Sequence, residues 1–193
     1  MKKILVIMVH PRNNSFCSAL AGSYVKGARS AGHEVRTLVL ADMGLHRYLE
    51  FGHDGTPEPT EDLRKARNSI LWADHLVFAY PTWWSGPPAL LKIFLEIVLL
   101  PGFAYKYHRS RWIFPVWDRL LAGRSARVIA TMDSQPWYHI CFAGEPGFRM
   151  LRQTLDFCGV SPVRRNYFGS VRKSTPGMRE RWLEEAFRIG VRE

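Results

Sequence analysis

Cysteine is scarce in this chain, and the three residues it has, Cys17, Cys141 and Cys158, are far apart. An odd count without a CxxC pair argues against a disulfide framework, a zinc knuckle and a dithiol redox centre. Free thiols fit a reducing compartment, so the expected location is the cytoplasm. Long apolar runs are missing too. The best stretch, Ala89 to Leu99, is interrupted by Lys92 and Glu96 and falls short of the roughly 20 apolar residues a membrane-crossing helix needs. The run Ile4 to Val9 is too short for a secretory leader and ends in His10-Pro11-Arg12 without a cleavage signature, so it reads as a strand. Neither a GxGxxG loop nor a Walker loop is present. His46 and His53 sit in a Gly/Pro-rich stretch without Cys or carboxylate companions at ligand spacing, and no metal is expected.

Acidic residues are also few: 17 against 27 Lys and Arg, a net charge of +10. Such an excess raises an anionic partner, whether nucleic acid, acidic lipid or a phosphorylated cofactor. The basic residues are spread along the chain, apart from clusters at His108 to Arg111 and Val163 to Lys173. No recognition helix, zinc knuckle or RNP pattern accompanies them, so nucleic acid is not the expected partner. With 193 residues and 47% hydrophobic content, a single globular domain spanning 1–193 is expected.

Apolar strand-like runs alternate with helical patterns throughout. Strands are predicted at Lys3 to Val9, Glu34 to Leu40, His75 to Tyr80, Ser125 to Thr131 and Pro162 to Val171. Helices are predicted from Ser15 or Phe16 to Gly32, Thr60 to Trp72, Ala89 to Leu99, Pro146 to Cys158 and Pro176 to Gly190. This βαβ rhythm predicts a doubly wound five-stranded parallel sheet, order 2-1-3-4-5, with helices on both faces. Ligands of such sheets sit at the carboxyl ends of the strands, where the loops after the first and third strands meet.

Both of those loops carry unusual residues. After the first strand, His10, Asn14 and Ser15 can hydrogen-bond a phosphate at a helix N-terminus, and Arg12 adds charge; helix capping alone would also explain Asn14 and Ser15. After the third strand comes Pro81-Thr82-Trp83-Trp84-Ser85-Gly86, whose two indoles suit either a flat heterocycle or a covered apolar interface. A third loop, Met132 to His139, is polar and aromatic, and Tyr138 and His139 could donate to a carbonyl oxygen gaining charge. The stretch Lys106 to Leu120 is rich in aromatics without periodicity, as a segment covering a ligand or a neighbouring subunit would be.

Three motifs carry a resemblance. HPRNNSF at His10 to Phe16 with Ala19-Leu20, YPTWWSGPPALLK at Tyr80 to Lys92, and PGFAY at Pro101 to Tyr105 resemble the flavodoxin-like NAD(P)H:quinone oxidoreductases. That family includes DT-diaphorase, the bacterial modulator of drug activity and ancillary flavoproteins of potassium efflux systems. The resemblance implies a flavodoxin-like fold and a flavin, FMN or FAD. Residues matching His10, Ser15, Phe16 and Cys17 would hold its phosphate, and those matching Pro81, Thr82, Trp83, Trp84 and Ser85 would line its ring. Thr131, Met132, Asp133 and Ser134 match the third flavin loop, and Tyr138 and His139 match the catalytic pair. The family's glycine-rich loop is replaced here by Met132-Asp133-Ser134-Gln135-Pro136. The implied activity is hydride transfer from NAD(P)H through flavin N5 to a quinone, in a homodimer with ping-pong kinetics. Two alternatives accompany it: an azo- or nitro-reductase, and a regulatory flavoprotein bound to a membrane transporter.

Overall fold

A computed structural model describes residues 1–45, 60–108 and 116–193; His46, His53, Trp112, Phe114 and Pro115 lie outside the described residues. Five strands form one parallel sheet: β1 (Lys3–Met8), β2 (Glu34–Val39), β3 (His75–Pro81), β6 (Ser125–Thr131) and β7 (Val163–Phe168). Their order is β2-β1-β3-β6-β7, all neighbours parallel, which is the predicted 2-1-3-4-5 arrangement. β3 is buried along its whole length, because a central parallel strand has helices over both faces. β2 and β7, at the edges, are more polar and partly exposed.

Alternation along the strands divides the core in two. Ile4, Val6, Val77 and Ile129 pack with α1 (Phe16–Ser30) and α6 (Pro176–Val191) on one face. Leu5, Ile7, Phe78 and Tyr80 pack on the other with α2 (Glu61–Trp72), α3 (Ala89–Val98) and α5 (Pro146–Cys158). Helices α1 and α6 touch backbone to backbone. A Cβ at Gly27 would lie 2.0 Å from the Phe187 carbonyl oxygen, and one at Gly190 would lie 2.2 Å from that of Tyr24. Only glycine permits an approach this close.

Three local expectations are revised. The fifth strand stops at Phe168, not Val171: Ser170 takes a left-handed φ of 57° and turns the chain into a 3-10 turn at Val171–Lys173. The expected loop through His139 contains a short helix, α4 (Pro136–Cys141), which Pro136 starts by occupying a first-turn position. Part of the irregular aromatic segment is an antiparallel hairpin, β4 (Tyr105–Tyr107) with β5 (Trp117–Arg119). Its indole explains the pairing, because Trp117 stacks on Phe157 at 4.7 Å and donates to the Phe157 carbonyl.

A polar cluster closes the amino edge of the sheet. Glu193, its side chain buried, accepts from Arg127 Nε at 2.6 Å and from the Tyr24 hydroxyl at 3.1 Å. Burial alone would raise its carboxyl, but the Arg127 hydrogen bond and nearby His75 outweigh burial and hold it below the usual range. His75 is pushed down to about 4, chiefly by burial, with the cations Lys2, Arg127 and Arg164 reinforcing it against Glu193. The unfolded chain therefore binds a proton between pH 6.5 and 4 that the folded chain refuses. Stability should fall as pH drops through that window, by about 3 kcal/mol for this residue. Urea unfolding at pH 7 and pH 4.5 checks this, and a His75→Gln variant with the same pH slope as the parent would refute it.

Candidate functional site

At the opposite, carboxyl edge of the sheet, the β1–α1, β3–α3 and β6–α4 loops meet in a cleft of about 440 Å³. The first wall comes from β1–α1. Ser15 caps α1 and accepts the Ser18 N–H at 3.1 Å, and its carbonyl takes the Ala19 N–H at 3.0 Å. Among the described residues no acceptor meets the N–H groups of Phe16 and Cys17, so two donors at the positive end of the helix dipole remain at the cleft. His10 is buried, and its Nδ1 accepts the Arg12 N–H at 2.9 Å. Burial and the Arg12 charge depress its pKa despite that backbone bond, so the ring is neutral near pH 7 and Nε2 carries its proton. The Cys17 thiol, pushed up to about 12 by burial despite its hydrogen bond with Thr131, is not a nucleophile.

The second wall is the aromatic turn. The Trp83 N–H donates to the Gly86 carbonyl at 2.7 Å, and the Gly86 N–H returns to Trp83 at 3.0 Å. Between them Trp84 and Ser85 take left-handed φ values of 49° and 64°, a conformation costing about 1–2 kcal/mol per non-glycine residue. Two contacts compensate. The Gly147 N–H at the start of α5 donates to the Ser85 carbonyl at 3.2 Å, and Gly147, with no Cβ, lets Gly86 approach. The turn holds the Trp83 ring 5.6 Å from His10, edge to face, while Trp84 is fully exposed.

The third wall joins two segments distant in sequence. Thr131 and Met132 lie at the end of β6, where the Thr131 carbonyl receives the Thr82 N–H at 2.7 Å. Val171 and Arg172 come from the turn after β7, held by Val171 N–H to the Met132 carbonyl at 3.1 Å and Arg172 N–H to Asp133 Oδ1 at 3.0 Å. Gly169 permits the fit: a Cβ there would lie 2.4 Å from Pro136 Cδ and 2.6 Å from the Ser134 carbonyl oxygen.

Of the residues singled out in the sequence, His10, Asn14, Ser15, Phe16, Cys17, Pro81, Thr82, Trp83, Thr131, Met132 and Asp133 line this cleft. Trp84, Ser85, Ser134, Tyr138 and His139 do not. Ser134 braces the third wall by accepting the Ser170 N–H at 3.2 Å. Tyr138 is half-exposed on α4 and stacks on Phe142 at 5.8 Å. His139 is buried edge-on against Tyr167 at 5.3 Å, with its pKa lowered chiefly by that burial. Tyr167 in turn donates to Glu145 at 2.8 Å, and Glu145 is ion-paired with Arg165. Val171 and Arg172 are lining residues that motif reading missed, because the signal for them lies only in the strand order.

A flavin phosphate fits the donor set: two free helix N–H groups, a neutral imidazole N–H and the guanidiniums of Arg12 and Arg172, with the Trp83 face beside them.

A parallel sheet in this order with a donor-rich cleft at its switch point defines a protein of the flavodoxin-like class. Residues 2–188 match the Flavodoxin_2 family, described as having a flavodoxin-like fold, and the chain belongs to that family. It is 27% identical, over 94% of its length and 91% of the relative's, to an uncharacterized NAD(P)H oxidoreductase of Haemophilus influenzae. An FMN-dependent NADH:quinone oxidoreductase of Beijerinckia indica is 25% identical over 85% of this chain and 86% of its own. Among solved structures, the NAD(P)H:quinone oxidoreductase of Methanothermobacter marburgensis superposes with a TM-score of 0.79 at 25% identity, covering 98% of both chains. Matches to longer or more distant relatives are partial. The chain spans 46% of rat NAD(P)H dehydrogenase [quinone] 1 and 56% of the potassium-efflux ancillary protein KefF of an Enterobacter, at 27% identity in each case.

Proposed function

We propose that residues 1–193 act as one flavin-binding domain that oxidises NAD(P)H and reduces a quinone-type acceptor in the cytoplasm. The carrying observation is the cleft: free Phe16 and Cys17 N–H groups, neutral His10 and two arginines face Trp83 across one switch-point opening. FMN is the cofactor this reading favours over FAD, in line with the FMN-dependent relative. When bound, the flavin supplies two-electron hydride chemistry. The chain's own residues bind, orient and shield. The α1 N-terminus with Arg12 and Arg172 holds the phosphate, and Pro81, Thr82 and Trp83 seat the ring. Tyr138, exposed on α4 and outside the cleft lining, would donate a hydrogen bond to the oxygen of an acceptor that projects from the cleft, as charge grows there. His139, buried on Tyr167, positions α4 and does not touch the acceptor. In a homodimer, Trp84, Trp137 and Phe142, all exposed in the single chain, would meet the second copy.

A regulatory role at a membrane transporter is the second reading, favoured by the partial likeness to KefF. Its basic surface is not one patch. Arg165 is committed to Glu145, Arg172 to the cleft, and Arg164 to the amino edge of the sheet.

Anaerobic titration of flavin-loaded protein tests the enzyme reading. One equivalent of NADPH or NADH should bleach the flavin band in a single two-electron step, and a simple quinone should restore it. Tyr138→Phe should slow the restoring step about 10²-fold or more while flavin content holds, the usual scale for a transition-state donor. A protein that takes up neither FMN nor FAD would overturn the proposal, and an azo dye restoring the band faster than quinones would change the acceptor class.

A further inference from the structure

A second cavity, of about 190 Å³, opens at the amino edge of the sheet, at the opposite ends of the strands from the cleft. Lys2, His75, Ser125, Arg164 and Glu193 supply its polar lining. Its unusual member is His75, only 1% exposed. One ring nitrogen is settled: Nδ1 lies 2.7 Å from Ser125 Oγ. The other, Nε2, has no hydrogen-bond partner among the described residues, since Glu193 Oε1 at 3.4 Å lies outside hydrogen-bonding geometry. The Glu193 carboxylate 3.4 Å from Nε2 favours the tautomer protonated there, so the serine hydroxyl donates to Nδ1 and the neutral ring presents a buried Nε2–H that no described atom accepts in hydrogen-bonding geometry. Native proteins seldom leave such a donor unmet, because doing so forfeits its full desolvation cost.

Charge decides what would meet it. Three cations, Lys2, Arg127 and Arg164, act on His75 against one carboxylate, that of Glu193. Arg127 already binds that carboxylate through two nitrogens, and Tyr24 donates to it as well, so its remaining field is weak. Lys2 spends one donor on the Glu193 main-chain oxygen and retains two. Arg164 is exposed at the cavity and has no acceptor among the described residues. The cavity thus combines surplus positive charge and an unpaired N–H, which the Ser125 hydroxyl fixes on Nε2, in a volume too small for a nucleotide.

We propose that this cavity binds a small oxyanion of the phosphate class, free or as a phosphomonoester. The site is independent of the flavin cleft and shares no residue with it. Inorganic phosphate is titrated into the full chain with FMN in excess, so that the cleft's helix end is filled. Binding is read by thermal unfolding and by the 15N shift of the His75 imidazole. Phosphate should raise Tm saturably and move the Nε2 resonance. Arg164→Ala, a surface change that should leave folding intact, should weaken the ion at least tenfold, and Ser125→Ala should weaken it less, with flavin content equal in all three proteins. Phenyl phosphate competing with phosphate would assign the class to phosphomonoesters, and its failure to compete would assign it to the free ion. No Tm rise with phosphate, or equal binding by Arg164→Ala, would overturn the assignment.

Discussion

Arg127→Met is expected to lower the unfolding free energy by about 3–5 kcal/mol, the scale for removing one partner of a buried ion pair. Arg127 reaches Glu193 through Nε at 2.6 Å and Nη2 at 3.3 Å, and Asn166 through Nη1 at 2.6 Å. Its loss leaves a carboxylate with almost no solvent contact beside a histidine that burial keeps neutral. The arrangement joins β3, β6, β7 and the segment after α6, so the whole amino edge of the sheet should loosen. Chemical denaturation at pH 7 checks the value. A double variant, Arg127→Met with Glu193→Gln, should recover part of the loss, because the uncompensated charge is then gone. A single-variant loss below about 1 kcal/mol would mean that Glu193 is protonated or hydrated in the folded chain.

Gly169→Val is expected to weaken flavin binding about tenfold while leaving the fold largely in place. A side chain there meets Pro136 and the Ser134 carbonyl within 2.6 Å, and neither can yield without moving. The turn carrying Val171 and Arg172 must shift away from Met132 and Asp133, breaking the third wall of the cleft. Overpacking of this kind costs about 1–3 kcal/mol. If about 1.4 kcal/mol of that falls on the flavin-binding conformation, FMN affinity drops about tenfold, since 1.4 kcal/mol is one decade. Fluorescence titration of FMN into apoprotein measures it, with far-UV circular dichroism as the folding control. Unchanged FMN affinity in a folded Gly169→Val protein would remove the turn after β7 from the site.

Much of the fold is legible in the amino-acid sequence. Strand and helix limits came within about a turn of those observed, because runs such as Leu76 to Tyr80 and caps such as Ser15 and Thr60 act on immediate neighbours. The fifth strand ends at Phe168, short of the expected Val171, because nothing local announces that Ser170 turns left-handed; tertiary contacts impose it. Helix α4 hid in a loop because six residues carry too little periodicity to register.

For the site, the amino-acid sequence alone carried the three motifs that resemble the family and the βαβ alternation from which the two switch-point loops are expected. Tertiary structure alone decided which side chains share a space. Arg172 joins Arg12 at the cleft from 160 residues away, Gly27 meets Gly190, and His75, Ser125 and Glu193 gather at the other edge. Trp83 and Trp84, adjacent in the chain, part company at one left-handed turn, the first lining the cleft and the second facing outward. Such meetings are set by strand order and by how closely helices approach, and no local window of the chain encodes the distance between residues that the sheet brings together.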